Sequence, residues 1–66
     1  MEIRVNGEVR SVEAGLTVLG LLERLNVPAE RVVVERNGVV IPRGVHDVEK
    51  LEENDQVEIV RFVGGG

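Results

Sequence analysis

The clearest structural signal in this chain is the stretch RVVVERNGVVIP, residues 31–42. Two runs rich in valine and isoleucine flank an Asn-Gly pair, a pattern typical of a two-residue β-hairpin turn. With that turn, Val34 pairs with Ile41 on one face of the sheet. Because side chains alternate along a strand, Val33 and Val40 then face the other side.

A second Asn-Gly pair, Asn6-Gly7, follows an alternating stretch that begins at residue 2 and predicts a half-buried strand. Two registers are open here. A two-residue loop pairs Val5 with Glu8 and turns Val9 to the opposite face. A three-residue loop with a left-handed glycine bulge pairs Val5 with Val9 and keeps both inside. We expect the three-residue loop.

Between the hairpins, the apolar spacing predicts a helix from Val18 to Leu25, with Thr17 as its N-cap and Asn26 at its left-handed end. A short helical turn is expected between residues 43 and 49, and a last strand over residues 57–63. The order ββαβββ indicates an α+β fold of the β-grasp (ubiquitin-like) type. In that fold one main helix packs on a mixed sheet of about five strands, with the last strand central and parallel to the first. Residues 1–63 form the predicted domain, and residues 64–66 a flexible glycine tail.

Composition excludes several classes of function. The 66 residues suffice for one small domain, and the net charge of −4 argues against a nucleic-acid partner. The chain has no cysteine and a single histidine, His46, so neither a catalytic site nor a metal site is expected, and we predict that the protein is not an enzyme. His46 is expected to be a solvated loop residue. No signal peptide or stretch long enough to span a membrane is visible, which predicts a cytoplasmic protein without membrane contact. A hydrated acidic turn is expected from four residues: Glu49, Glu52, Glu53 and Asp55.

The glycine tail is the feature with the most chemistry. Gly64, Gly65 and Gly66 contribute nothing to packing, and in extended form they reach about 10 Å beyond the domain. An α-carboxyl group titrates near ~3.5, so a terminal Gly66 carboxylate is ionised at neutral pH and can attack an activated phosphate. A tail without side chains can also be threaded into a narrow active site. A frayed terminus without a function is the alternative.

Taken together, these segments resemble the ThiS family, the ubiquitin-like sulfur-carrier proteins of thiamine biosynthesis. The resemblance covers the whole chain. It rests on Gly-Leu-Thr-Val at the start of the helix, Val-Glu-Arg-Asn-Gly with Val-Ile-Pro-Arg in the second hairpin, Asn-Asp before the last strand, and Phe-Val-Gly-Gly-Gly at the end.

The resemblance implies that an E1-like adenylyltransferase adenylates Gly66 and that a sulfur donor, a persulfide protein, converts the adenylate to a thiocarboxylate. Thiazole synthase then receives the sulfur for thiazole synthesis. The tail residues Gly64, Gly65 and Gly66 would be threaded into these partners. No cofactor belongs to the carrier, since ATP and magnesium are used by the activating partner, and the free carrier is expected to be a monomer.

Three other functions remain open from the sequence. The small subunit of molybdopterin synthase shares the fold and tail, but it is usually longer and tends to carry prolines before its terminal residues. A ubiquitin-like modifier would join Gly66 to lysines of other proteins. A plain binding module with an accidental glycine tail is the third.

Strand parity predicts where the partners dock. With Val57 and Ile59 turned toward the helix, Val60 and Phe62 face the other side of the sheet. The expected partner-binding residues are Phe62, Val60, Val33, Val40 and Arg61. Scattered surface valines without a function are the alternative. The nearby charges of Glu35 and Glu58 are expected to set specificity and encounter rate more than affinity.

Overall fold

The computed structural model describes residues 1–62, so Val63 and the predicted tail, Gly64 to Gly66, lie outside the described residues. The elements follow in the order β1 (Glu2–Val5), β2 (Glu8–Ser11), α1 (Val18–Arg24), β3 (Val32–Arg36), β4 (Val39–Ile41) and β5 (Gln56–Arg61). Short 3₁₀ helices occur at Ala29–Arg31 and at Arg43–Val45. The predicted order ββαβββ and the helical turn after the second hairpin are confirmed.

The strands form one five-stranded sheet in the order β2-β1-β5-β3-β4 within the described residues. β5 is central, since it runs parallel to β1 and antiparallel to β3. It therefore has a hydrogen-bonding neighbour on each side, as the predicted β-grasp arrangement requires. The second hairpin has the expected two-residue turn, with Val34 opposite Ile41.

Helix α1 covers one face of this sheet. Its N-cap is Thr17, whose side-chain oxygen accepts a hydrogen bond from the Gly20 amide at 3.0 Å. Its end is marked by Asn26, which has a φ of 56°. The helix buries Val18, Leu21 and Leu22 against the sheet. The largest fully buried side chains come from both layers: Ile3, Leu21, Leu22, Val18, Val34 and Val57.

The register expected for the first hairpin is wrong. Val5 pairs with Glu8 and Arg4 with Val9, so the loop has two residues and Val9 is 51% exposed on the face away from α1. Asn6 and Gly7 both have positive φ, 50° and 85°, which is the backbone of a type I′ turn. The turn geometry therefore determines the register, and the burial of one valine on an edge strand does not.

Candidate functional site

The two faces of the sheet differ in what covers them. The helix-side face carries Ile3, Val5, Val34 and Val57, which belong to the core packed under α1. The opposite face, called the open face here, has no helix over it within residues 1–62. Apolar side chains on the open face are consequently in contact with solvent.

Four apolar residues lie on or beside the open face at its β4 side and are called the open-face patch: Val33, Val40, Val60 and Phe62. Val33 lies directly opposite Val60 across β3 and β5. The exposed fraction of the four ranges from 38% for Val33 to 54% for Val40. The register confirms the predicted face for Val33, Val40 and Val60. Phe62 follows the last residue of β5, and the role of all four residues in binding a partner stays a prediction.

Phe62 is held at the end of the central strand. β5 ends at Arg61, and the Phe62 amide donates a hydrogen bond to the Arg31 carbonyl at 3.2 Å. The Phe62 side chain is 47% exposed. The last described residue, Phe62, therefore lies beside Val33 and Val60 at the end of β5. The predicted reactive residue, Gly66, and the rest of the tail lie outside the described residues.

Arg61 is not part of this patch surface. It pairs with Val32, a buried residue of the helix-side face, so its side chain leaves β5 on the side opposite to Phe62. Arg61 is exposed at the end of the strand. A partner that contacted both Arg61 and Phe62 would have to reach around the end of β5.

Two asparagine side chains attach β5 to the hairpin turns, and the sequence analysis missed both. Asn6 Oδ1 accepts from the Ile59 amide at 2.8 Å. Asn37 Oδ1 accepts from the Gln56 amide at 2.9 Å. Each asparagine therefore fixes a turn and also extends the hydrogen bonding of the strand that leads to the tail. The Asn-Gly pairs predict turns, but their side-chain bonds to β5 depend on the position of a strand that lies far away in the sequence.

A charged network lies at the start of β5 and centres on Arg36. Arg36 Nε donates to Asp55 Oδ2 and Arg36 Nη1 to Glu49 Oε2, both at 2.8 Å. Asp55 also accepts from Asn37 Nδ2 at 2.9 Å and from the Glu52 amide at 2.7 Å. The predicted hydrated acidic turn is therefore wrong for Asp55, which is 5% exposed and fully paired.

The ionisation of this network follows from its contacts. Burial of Asp55 disfavours its charged form, but the hydrogen bonds from Asn37, the Glu52 amide and Arg36, with the Arg36 charge, outweigh burial and lower the pKa of Asp55. Burial likewise opposes the charge of Arg36, and the bonds to Glu49 and Asp55 raise the pKa of Arg36 above its ordinary value. The network thus consists of ion pairs that connect β3 and its turn to the residue that precedes β5.

His46 does not lie in solvent as expected. It is 3% exposed, and its Nε2 lies 3.1 Å from the Ile41 carbonyl oxygen. Its Nδ1 is buried without a hydrogen-bond partner among the described residues. The expectation failed because the segment after the 3₁₀ helix Arg43–Val45 packs against α1. There the His46 carbonyl accepts a hydrogen bond from the Leu19 amide at 2.9 Å, a contact that the local sequence does not reveal.

Within residues 1–62, no group of three or more His, Cys, Asp or Glu side chains is arranged to hold a metal ion. In the same part of the chain, no helix has the length and apolar character needed to cross a membrane. The described residues thus present an exposed apolar patch on the open face and a central strand with hydrogen-bonded neighbours on both sides.

Comparison with known proteins gives concordant findings. The model of the ThiS family matches residues 3–66. A crystal structure of the thiamine biosynthesis protein ThiS from Geobacter metallireducens is 40% identical and superposes with a TM-score of 0.86 over 100% of both chains. That agreement confirms the β-grasp fold.

Among curated proteins, a thiazole synthase from Magnetococcus marinus is 48% identical over 66 residues, which are 100% of this chain and 20% of that protein. A thiazole synthase from Paramagnetospirillum magneticum is 39% identical over the same 66 residues and the same shares of the two chains. This chain thus spans about a fifth of the length of these relatives. The uncharacterized protein ycf40 of Pyropia yezoensis is 32% identical and is covered over 93% of its length.

Proposed function

Since the chain belongs to the ThiS family, we propose that it is a sulfur carrier of thiamine biosynthesis that works without catalytic residues of its own. The single observation that carries the proposal is the family match over residues 3–66, and the 40% identical ThiS structure supports it. The proposed reactive group is the carboxylate of Gly66. The proposed setting is the cytoplasm, with the carrier a monomer when free.

The proposed reaction has two steps at that carboxylate. In the first, a carboxylate oxygen of Gly66 attacks the α-phosphorus of ATP in an E1-like adenylyltransferase, and pyrophosphate leaves. In the second, the outer sulfur of a persulfide protein attacks the acyl carbon and displaces AMP. A thiol then cleaves the sulfur–sulfur bond and becomes part of a disulfide, which leaves a thiocarboxylate on Gly66. ATP and magnesium belong to the activating enzyme, and the carrier supplies the carboxylate.

Thiazole synthase is the proposed acceptor of the sulfur. The support is that two proteins named thiazole synthase contain a segment similar to the whole of this chain. A carrier segment and a synthase in one polypeptide are consistent with two proteins that act on each other. Delivery would need the tail, Gly64 to Gly66, to enter the synthase while the domain docks beside it.

The experiment that tests the reaction is intact-mass spectrometry of the protein purified from its native host. A thiocarboxylate replaces one oxygen by sulfur and adds about 16 Da to a chain that ends at Gly66. The chain lacking Gly66 should support no ATP–pyrophosphate exchange with the activating enzyme of the same organism, while its thermal unfolding is unchanged. Undiminished exchange without Gly66 would refute the proposal, and Gly66–lysine conjugates in the host would indicate a protein modifier instead.

The open-face patch is proposed as the docking surface for these partners. Phe62→Ala should weaken binding of a partner by about 2 kcal/mol, since an exposed aromatic residue beside the exit of the chain fits an interface anchor. Its effect on stability should be small, because Phe62 is already 47% exposed in the folded chain. Unfolding of this variant, with normal binding of the folded fraction, would show that Phe62 is a core residue.

Adjacent valines of β4 provide a matched control. Val40 is 54% exposed on the open face, and Val39 is 64% exposed and pairs with Arg36 on the helix-side face. Val40→Ala should weaken partner binding, whereas Val39→Ala should not. Equal effects of the two substitutions on binding would contradict a docking surface on the open face.

A further inference from the structure

Two glutamates lie directly opposite each other on the open face. Glu35 of β3 and Glu58 of β5 are partners in the antiparallel register, two residues along each strand from the Val33–Val60 pair. Like charges in directly opposed positions destabilise a sheet. The pair therefore costs the free domain stability at its centre.

No cation forms an ion pair with either glutamate within the described residues. The ion pairs there involve Arg10, Arg24 and Arg36, and none of them includes Glu35 or Glu58. Arg4 lies on the same face, on β1, but it is the partner of Gln56 and forms no ion pair in residues 1–62. Glu35 and Glu58 thus differ from Asp55, whose carboxylate accepts hydrogen bonds from Arg36, Asn37 and the Glu52 amide.

The surroundings of the pair indicate what would fit it. Glu35 is half-buried and is also opposite Val40 on β4, so its carboxylate borders the open-face patch. An arginine or lysine side chain combines an apolar stem with a cationic head. On this surface the stem can lie against Val40 and Val60 while the head contacts both carboxylates. Charge-assisted hydrogen bonds of this kind are stronger than neutral ones.

We propose that the partner docked on the open-face patch places an arginine or lysine side chain between Glu35 and Glu58, and that this partner is thiazole synthase. The inference rests on the proposed function, and it adds the chemistry of the partner surface: apolar, with one cation at its centre. The synthase is chosen because proteins of that name contain a segment similar to this chain.

The proposal predicts that removal of the two glutamate charges changes stability and partner binding in opposite directions. Removing the two charges relieves the repulsion in the free domain, so the folded state should be as stable as before or more stable. The same change removes the contacts to the partner's cation, so binding should weaken. A purely structural role for the glutamates would change both quantities in the same direction.

The test compares two doubly substituted chains of equal net charge. Glu35→Gln with Glu58→Gln removes the acidic pair, and Glu23→Gln with Glu30→Gln removes two exposed charges from α1 and the following 3₁₀ helix. Binding to the thiazole synthase of the same organism is measured by calorimetry in 50 and 300 mM KCl, and unfolding by thermal melting. A screening length near 10 Å at 0.1 M makes the two salt concentrations distinguishable.

The open-face variant should bind about tenfold more weakly than the wild type at 50 mM KCl, with a smaller dependence on salt and an unchanged or higher Tm. The control variant with Glu23→Gln and Glu30→Gln should bind as the wild type does. Unchanged affinity of the open-face variant would overturn this inference while the carrier function stands. A wild-type chain that does not bind the synthase would refute the synthase as partner, and the inference with it. A wild-type dimer that tightens when the two charges are removed would show that a second copy occupies the patch and would also overturn it.

Discussion

The two hairpins contain the same Asn-Gly turn in different surroundings. Asn6 and Asn37 have φ values of 50° and 52°, and the glycines that follow them have φ values of 85° and 84°. Both loops have two residues, and each asparagine accepts a hydrogen bond from an amide of β5. Local turn geometry is therefore the same at both sites. Any difference between the two hairpins in their contribution to the stability of the fold comes from the residues that surround each turn.

The first difference concerns the edge strands. Every residue of β2 is exposed, whereas β4 ends with Ile41, which is buried on the helix-side face. The second difference is charge. The Asn37 side-chain amide also donates to the buried carboxylate of Asp55, whereas the hydrogen bonds of the Asn6 side chain within residues 1–62 go to the backbone of Ile59. In the second hairpin, both strands thus contribute to the core and the turn is joined to the ionic network. In the first hairpin only β1 contributes core side chains, Ile3 and Val5, and the edge strand β2 contributes none.

Removing the apolar side chain that each edge strand contributes should show the largest difference. Ile41→Ala should lower the free energy of unfolding by about 2–3 kcal/mol, because it removes buried methyl groups and leaves a cavity. Val9→Ala should cost at most about 0.5 kcal/mol, since Val9 is exposed. Urea unfolding followed by circular dichroism measures both. Equal losses would mean that the two edge strands are equally important for the core.

Exchange of each asparagine for glycine should give the next largest difference. Glycine keeps the positive φ, so only the side-chain hydrogen bonds are lost. Asn37→Gly should cost about 2 kcal/mol because one bond goes to a charged, buried carboxylate, and Asn6→Gly about 1 kcal/mol.

Asn26 supplies the control for this pair. It has a φ of 56° at the end of α1, and no hydrogen bond of its side chain is found among the described residues. Asn26→Gly should leave the urea midpoint nearly unchanged. A larger loss for Asn6→Gly than for Asn37→Gly would contradict the importance assigned to the Asp55 contact.

The contrast between the hairpins also shows what the sequence could predict. Turn residues, helix spacing and strand alternation are local signals, and they predicted the element order, the N-cap Thr17 and the two-residue turn before Val39. At the first hairpin two local signals disagreed, because the turn favoured one register and the burial of Val9 the other. All four residues of β2 are exposed, so the burial of Val9 has little influence on the register. The position of β2 at the edge of the sheet is known only from the complete fold.

The ion pairs and hydrogen bonds between polar side chains depend on the pairing of distant strands, which no local pattern specifies. Arg36 and Asp55 are 19 residues apart, and they meet because β3 and β5 are neighbours in the sheet. The predictions of a solvated His46 and a hydrated Asp55 are wrong because no local pattern shows that the fold buries both side chains. The face that carries Val33 and Val60, in contrast, follows from strand parity alone, and the register of these two residues agrees with it.

Low pH should reduce the difference between the stability losses caused by Asn37→Gly and Asn6→Gly. The pKa of Asp55 is lowered in the folded chain from its ordinary value of 3.8, so its ionised form stabilises the fold at pH values above 3.8. That contribution is lost as the pH falls through the folded pKa. The urea midpoint of the wild type should therefore decline as the pH is lowered from 6 toward 3. The cost of Asn37→Gly should shrink only below pH 3.8, where its partner Asp55 begins to be protonated.

Asn6→Gly is the internal control for this pH series. Neither Asn6 nor the Ile59 backbone titrates, so the cost of that substitution should stay constant from pH 6 to pH 3. A parallel decline for both variants would show that Asp55 does not distinguish the hairpins.

The smallest expected effect tests the register of the first hairpin directly. Val9 lies opposite Arg4 on the open face, so Val9→Glu creates an opposite-charge pair and should change the free energy of unfolding by no more than about 0.5 kcal/mol, toward stability. Val9→Lys creates a like-charge pair and should destabilise by a similar amount. The difference should disappear in 0.5 M NaCl, where exposed charges are screened. If Val9 instead faced Val5 in the core, either charge would be buried, and both variants would lose several kcal/mol at any salt concentration.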